Sequence, residues 1–127
     1  LDERLDPLVA IESSIKEFFE VVIEQPSVLK MFEIMVLRCE YVKEFAQVRQ
    51  VVNQPALDFL AKLKKVYQRA VEQQVTLEGL SSDVLARDTW VFTSGLLNQL
   101  LLVPDQSELR ERMPEMVRAH MVLRTRR

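Results

Sequence analysis

The chain has 127 residues, 48% hydrophobic and 28% charged, with a formal net charge of −2 and a pI of about 5.5. That is enough for one domain with a single core, and the balance excludes a disordered chain. The chain carries no basic stripe, so as it stands it has no electrostatic footprint for nucleic acid. With 2 glycines and 5 prolines against many good helix formers, it reads as an all-α bundle of about five long helices joined by short loops.

In chain order, Leu1 to Asp6 is a charged, amphipathic piece without a cap and reads as the tail of a helix that starts earlier. Asp6-Pro7 is a start signal, with Asp as N-cap and Pro at the first helical position. Leu8, Ile11, Ile15, Phe18, Phe19, Val22 and Ile23 then recur at helical spacing, and Gln25-Pro26 ends the helix. Ser27 is placed to cap a second helix, Val28 to about Val42, whose near-continuous apolar surface sends it through the middle of the domain. A third helical stretch covers about Glu44 to Gln74, with a kink or break expected near Asn53-Gln54 because of Pro55.

A loop around Gly79 leads to a fourth helix, capped by Ser81, Ser82 or Asp83 and ending at Val103-Pro104. Its run TWVFTSGLLNQLLLV (Thr89 to Val103) is apolar on nearly every face. It is about 15 residues long against the roughly 20 that a membrane span needs, so burial is the expectation. One layer of helices covers only one side of it, which leaves the other for a second copy. The fifth helix begins after Asp105 to Ser107. Pro114 leaves two starts open, near Glu111 with the proline in the first turn, or at Glu108 with a kink. Its seam of Leu109, Met113, Met116, Val117, His120 and Met121, together with Gly95, Leu97 and Leu101 of the fourth helix, reads as half of a four-helix homodimer interface.

Chemistry-bearing motifs are sparse. Cys39 is the single cysteine, which excludes an intrachain disulfide and suits a reducing cytoplasm. The N-terminus lacks the pattern of a signal peptide. His120 is the single histidine, and no metal motif, GxSxG or phosphate-cradling loop occurs, so the chain reads as neither an enzyme nor a metal or cofactor binder. His120 reads as an interface or core histidine with one hydrogen bond, the sharper alternative being a ligand contact or pH switch. Arg124, Arg126 and Arg127 complement a helix dipole. Asp83 with Arg87 and Glu108 with Arg112 are surface pairs at i, i+4 spacing.

A pocket is the better functional candidate. Phe18, Met31, Phe32, Met35, Phe59, Trp90 and Phe92 form a set rich in flat and flexible side chains, which can repack around unrelated apolar ligands. Plain core is the competing reading. Thr93, Ser94, Asn98 and Gln99 within the apolar fourth helix require hydrogen-bond partners wherever they are buried.

The run MFEIMVLRCEYVKEFAQVRQ (Met31 to Gln50), SGLLNQLLLVPDQ (Ser94 to Gln106) and the opening DPL (Asp6 to Leu8) resemble the C-terminal regulatory domain of TetR-family transcriptional repressors. The subgroup they resemble is the AcrR/TtgR-like regulators of multidrug efflux pumps. Its KCEF-like segment stands here as Arg38-Cys39-Glu40-Tyr41. The resemblance covers essentially the whole chain and implies one ligand-binding and dimerisation domain over residues 1–127. Residues 1–6 would then be the end of a linking helix, and the helix-turn-helix head is absent from this chain. Operator DNA would be bound only through that head. The resemblance places pocket positions at Ile15, Phe18, Phe32, Val36, Leu63, Trp90 and Thr93, and the aromatic set adds Met35, Phe59 and, as a polar neighbour, Ser94. Phe32 and Val36 stand where relatives often carry Asn or His, and Val52 where they can carry Gln, which implies a greasier cavity for a small apolar or aromatic ligand. A purely structural dimerisation module with a filled core is the alternative.

Overall fold

The computed structural model describes residues 6–33, 46–102 and 107–126. The helices are α1 (Pro7–Glu24), α2 (Pro26–Glu33), α3 (Ala46–Glu72), α4 (Ser82–Leu102) and α5 (Ser107–Arg124). Among the described residues there is no strand, only an isolated antiparallel bridge between Thr76 and Thr125.

The Asp6-Pro7 joint behaves as its composition demands. The Asp6 carboxylate accepts the amides of Leu8 at 2.9 Å and Val9 at 3.4 Å, satisfying two of the donors that a helix start leaves free. At the other end Gln25 does two jobs. Its amide donates to Val21 O at 3.1 Å, closing α1, and its carbonyl accepts the amides of Val28 at 3.0 Å and Leu29 at 3.2 Å, opening α2. Gln25 is extended (φ −114, ψ 98), as a residue before proline must be. So α2 starts at Pro26, two residues before the expected start at Val28, and Ser27 lies inside it. Its described part lies at the periphery, with Val28, Leu29 and Phe32 half-buried against the core and Met31 exposed. The expected course of the second helix through the centre falls mainly on residues 34–42, outside the described residues, as does Cys39.

Of the kink or break expected near Asn53-Gln54, the break does not occur: α3 runs as one helix from Ala46 to Glu72. A proline removes a single amide donor, and the helical ladder on either side persists. The C-terminus of α3 closes with a left-handed residue, Gln74 (φ 60), with Gln74 N donating to Val71 O at 3.0 Å and Val75 N to Ala70 O at 3.1 Å. This is the Schellman arrangement, here without glycine. Gly79 (φ 88) turns the chain, and the Ser81 hydroxyl accepts Val84 N at 3.2 Å to start α4. In α5 the earlier start holds, and Pro114 lies inside the helix.

The core is one cluster. It includes Ile11, Ile15, Phe19 and Val22 of α1, Leu60, Leu63, Val66 and Tyr67 of α3, Leu85, Leu96 and Leu100 of α4, and Met113, Val117 and Met121 of α5. α4 is covered on one face only. Leu85, Ala86, Thr89, Thr93, Leu96 and Leu100 are buried, whereas Val84, Val91 and Leu102 are more than half exposed. No helix among the described residues is long and apolar enough to cross a membrane.

Candidate ligand-binding and dimerisation surfaces

The aromatic residues divide by depth. Phe19 is fully buried, while Phe18, one position along α1, is 36% exposed. Phe18 meets Phe19 edge-on with ring centroids 5.2 Å apart, and Phe32 of α2 edge-on at 5.8 Å. Edge-to-face geometry sets the positive rim of one ring against the negative face of the next. Phe32, Phe59 and Trp90 are half-buried and packed on the core, which leaves part of each ring accessible. These rings carry no charge.

The other pocket candidates fare differently. Ile15 and Leu63 are completely buried in the core cluster. Thr93 is buried and its hydroxyl donates to Thr89 O, one turn back, at 2.8 Å. Ser94 is exposed, and Met35 and Val36 lie outside the described residues.

The interface candidates also divide. Gly95 and Met116 are exposed, Leu97 and Leu101 half-buried. Met113, Val117, His120 and Met121 close the protomer's own core instead of facing outward. Side chains already enclosed have no surface left for a second chain. The outward apolar residues of these two helices are Val91, Leu102, Met116, Val122 and Leu123.

Between α3, α4 and α5 lies a polar thread that the sequence reading missed. The Tyr67 and Thr89 hydroxyls are 2.6 Å apart, and Thr89 Oγ1 is 2.8 Å from His120 Nε2. The Tyr67 hydroxyl also reaches Met121 Sδ at 3.9 Å, and Phe92 stacks on the His120 ring with centroids 4.2 Å apart. One hydroxyl has a donor and two acceptor sites, so Thr89 can serve both neighbours at once. Burial drives the His120 pKa down to about 4, with the Arg124 guanidinium pushing the same way and Asp88 opposing. The imidazole is thus neutral near pH 7. Burial likewise raises the Tyr67 phenol. Next to the thread, Arg124 Nε donates to the Asp88 carboxylate, holding its pKa below the usual range, and Arg124 Nη1 donates to His120 O at 2.9 Å. The second contact is the dipole role expected of Arg124; the first crosses between helices, where no spacing within one helix could reveal it.

The surface pairs Asp83–Arg87 (3.8 Å) and Glu108–Arg112 (3.3 Å) form as their spacing suggests, and Lys64 also meets Asp83 at 3.1 Å. Among the described residues no group of three His, Cys, Asp or Glu side chains comes together to hold a metal.

The family model for the C-terminal region of MAATS-type transcriptional repressors matches residues 6–125. The chain belongs to this TetR-type repressor family. It is a regulatory region of a transcriptional repressor, of a kind that binds ligands and dimerises and is not an enzyme family. The MAATS-type match spans every described helix. No curated protein and no solved structure matches the chain.

Proposed function

We propose that this MAATS-type region is the effector-binding and dimerisation domain of an AcrR/TtgR-like repressor, which controls a multidrug efflux pump and leaves DNA when an apolar or aromatic ligand binds. The observation that carries the ligand reading is the partly accessible, uncharged rings of Phe18, Phe32, Phe59 and Trp90, of which Phe18 and Phe32 meet edge-on at 5.8 Å. Partly open aromatic surface with few polar groups is what a broad, greasy site requires. Thr93, Ser94, Met35 and Val36 complete the proposed site, with Ile15 and Leu63 as its floor. Ligand acts by its unequal affinity for two arrangements of the repressor.

Trp90 is the single tryptophan, so its fluorescence reports on one place. Titration with a panel of planar apolar dyes should quench or shift that emission. A flat response to the whole panel removes the ligand reading.

The dimer reading uses α4 and α5 through Gly95, Leu97, Leu101 and Met116, joined by the exposed Val91, Leu102 and Leu123. Apolar residues at such exposure on two adjacent helices favour a second copy as cover. The alternative, a purely structural dimerisation module, draws on the full burial of Ile15 and Leu63 and on the Thr93 hydroxyl already bonded within its helix. A dimer whose melting temperature no panel member raises is the outcome that favours it.

A further inference from the structure

Two threonines stand one turn apart on the buried side of α4, and their hydroxyls are used differently. Thr89 Oγ1 is shared between the Tyr67 hydroxyl at 2.6 Å and His120 Nε2 at 2.8 Å. Thr93 Oγ1 lies 2.8 Å from Thr89 O. A carbonyl oxygen only accepts, so the Thr93 hydroxyl gives its one hydrogen to Thr89 O. The hydroxyl oxygen still carries two lone pairs. Thr93 is therefore set as an acceptor toward any group that approaches it from outside α4.

The pairing of α3 with α4 fixes where this acceptor lies. The two helices form a hairpin, and the Tyr67–Thr89 contact sets its register. The loop that joins them is strapped to the end of α5, with Leu77 N donating to Arg124 O at 3.0 Å and Arg126 N to Val75 O at 2.9 Å. Leu63 stands one turn from Tyr67 on α3, and Thr93 one turn from Thr89 on α4, so these two share a level of the hairpin. A further turn along α3 reaches Phe59. Trp90 stands three positions before Thr93, and residues at that spacing are neighbours on a helix surface. Along the hairpin Thr93 thus falls between the Trp90 and Phe59 rings. Both rings are half-buried against the core, and Thr93 is 8% exposed.

We propose that Thr93 is a specificity-determining residue of the ligand site, and that it selects flat apolar molecules carrying one hydrogen-bond donor. The O–H of a phenol or the N–H of an aniline or indole donates to the Thr93 oxygen. A molecule of the same shape that offers only an acceptor, such as a methoxy or carbonyl group, meets a lone pair there and leaves its own acceptor unpaired. Turning the hydroxyl to serve that acceptor gives up the Thr89 O bond for the new one, without net gain. The inference rests on the ligand reading above and adds one polar requirement to it.

The test is calorimetric titration of the whole chain with 2-naphthol and with 2-methoxynaphthalene, which share a ring system and differ in the donor. Parent and Thr93→Val are compared probe by probe, so that differences in probe hydrophobicity cancel. Valine keeps the shape and removes the oxygen, and Thr89 O retains its helical amide donor, so the fold is kept, as a circular dichroism melt should show. Thr93→Val should weaken 2-naphthol by roughly three- to tenfold, the size of one hydrogen bond, and leave 2-methoxynaphthalene within about twofold. Thr93→Ser should keep most of the affinity for 2-naphthol. Weakening that is shared by both probes, confined to 2-methoxynaphthalene or absent altogether overturns the proposal and leaves the ligand reading standing. A parent that binds neither probe also overturns it, and the dye titration at Trp90 then shows whether the ligand reading falls with it.

Discussion

Thr89 and His120 stand 31 positions apart in the chain and 2.8 Å apart in the core, an α4 hydroxyl against an α5 imidazole. Thr89 also contacts the Tyr67 hydroxyl at 2.6 Å, so one small side chain satisfies two large buried ones.

Thr89→Val keeps the shape and removes the bonding. Tyr67 loses one partner and His120 Nε2 is orphaned, each at a cost of about 1–3 kcal/mol in a buried site. Urea unfolding should show a loss of about 2–4 kcal/mol, and Thr89→Ser should recover most of it. A Val variant as stable as the parent would show that the thread carries no net stability.

Acid should weaken the fold in two stages. The folded His120 pKa is about 4, below its ordinary value of 6.5, so between those values the unfolded chain binds the extra proton. Stability therefore falls as pH drops from 6.5 toward 4, by on the order of 2 kcal/mol once the solvent-touching ring edge is allowed for. Below that range the Asp88 carboxylate, held low by Arg124, protonates and the ion pair is lost. Melting temperatures across this range should follow that course, and His120→Gln should flatten the first stage and spare the second.

Gly95 separates protomer from assembly. A Cβ built there meets nothing within 4 Å in the protomer. Alanine in mid-helix is favoured over glycine by about 1 kcal/mol, so Gly95→Ala should stabilise an isolated protomer. If α4 crosses its copy at this point, the added methyl should weaken the dimer, seen as a raised dissociation constant in sedimentation. Stabilisation with unchanged association would move the crossing elsewhere.

Charge substitutions on α4 and α5 should have two distinct consequences. Val91 is 63% exposed and Val117 fully buried. Val91→Glu should yield a folded monomer, whereas Val117→Glu buries an unpaired charge and should give unfolded or insoluble protein. Circular dichroism with size-exclusion chromatography distinguishes these results. A folded dimer from Val91→Glu would take the interface off this face.

Local signals were legible and cross-helix ones were not. Asp6-Pro7 marked the start of α1 because its chemistry is complete within four residues, and Gly79 marked its turn for the same reason. Pro55 does not end its helix, since a long helix continues past one missing donor. The seam of Met113, Val117, His120 and Met121 was visible as a stripe. A stripe reports that a face is covered, not by whom, and here the cover is the protomer's own core. Thr89 looked like an ordinary helical threonine. Its part depends on Tyr67 and His120, which only the packing of three helices brings to it. The rings at Phe18, Phe32, Phe59 and Trp90 were noticed by type, while their division between core and surface needed the structure.

The strap between Val75 and Arg126 gives this fold an order of events. α3 and α4 are joined by a short loop and pair without long-range closure, so they suit an early hairpin. α5 can be strapped only after that loop exists, and its contacts belong to the late side of the folding barrier. Arg126→Pro, which deletes the amide donor to Val75, should therefore quicken unfolding and leave the refolding rate nearly unchanged in stopped-flow measurements. The last few residues then set how long the folded domain lasts, not how fast it forms.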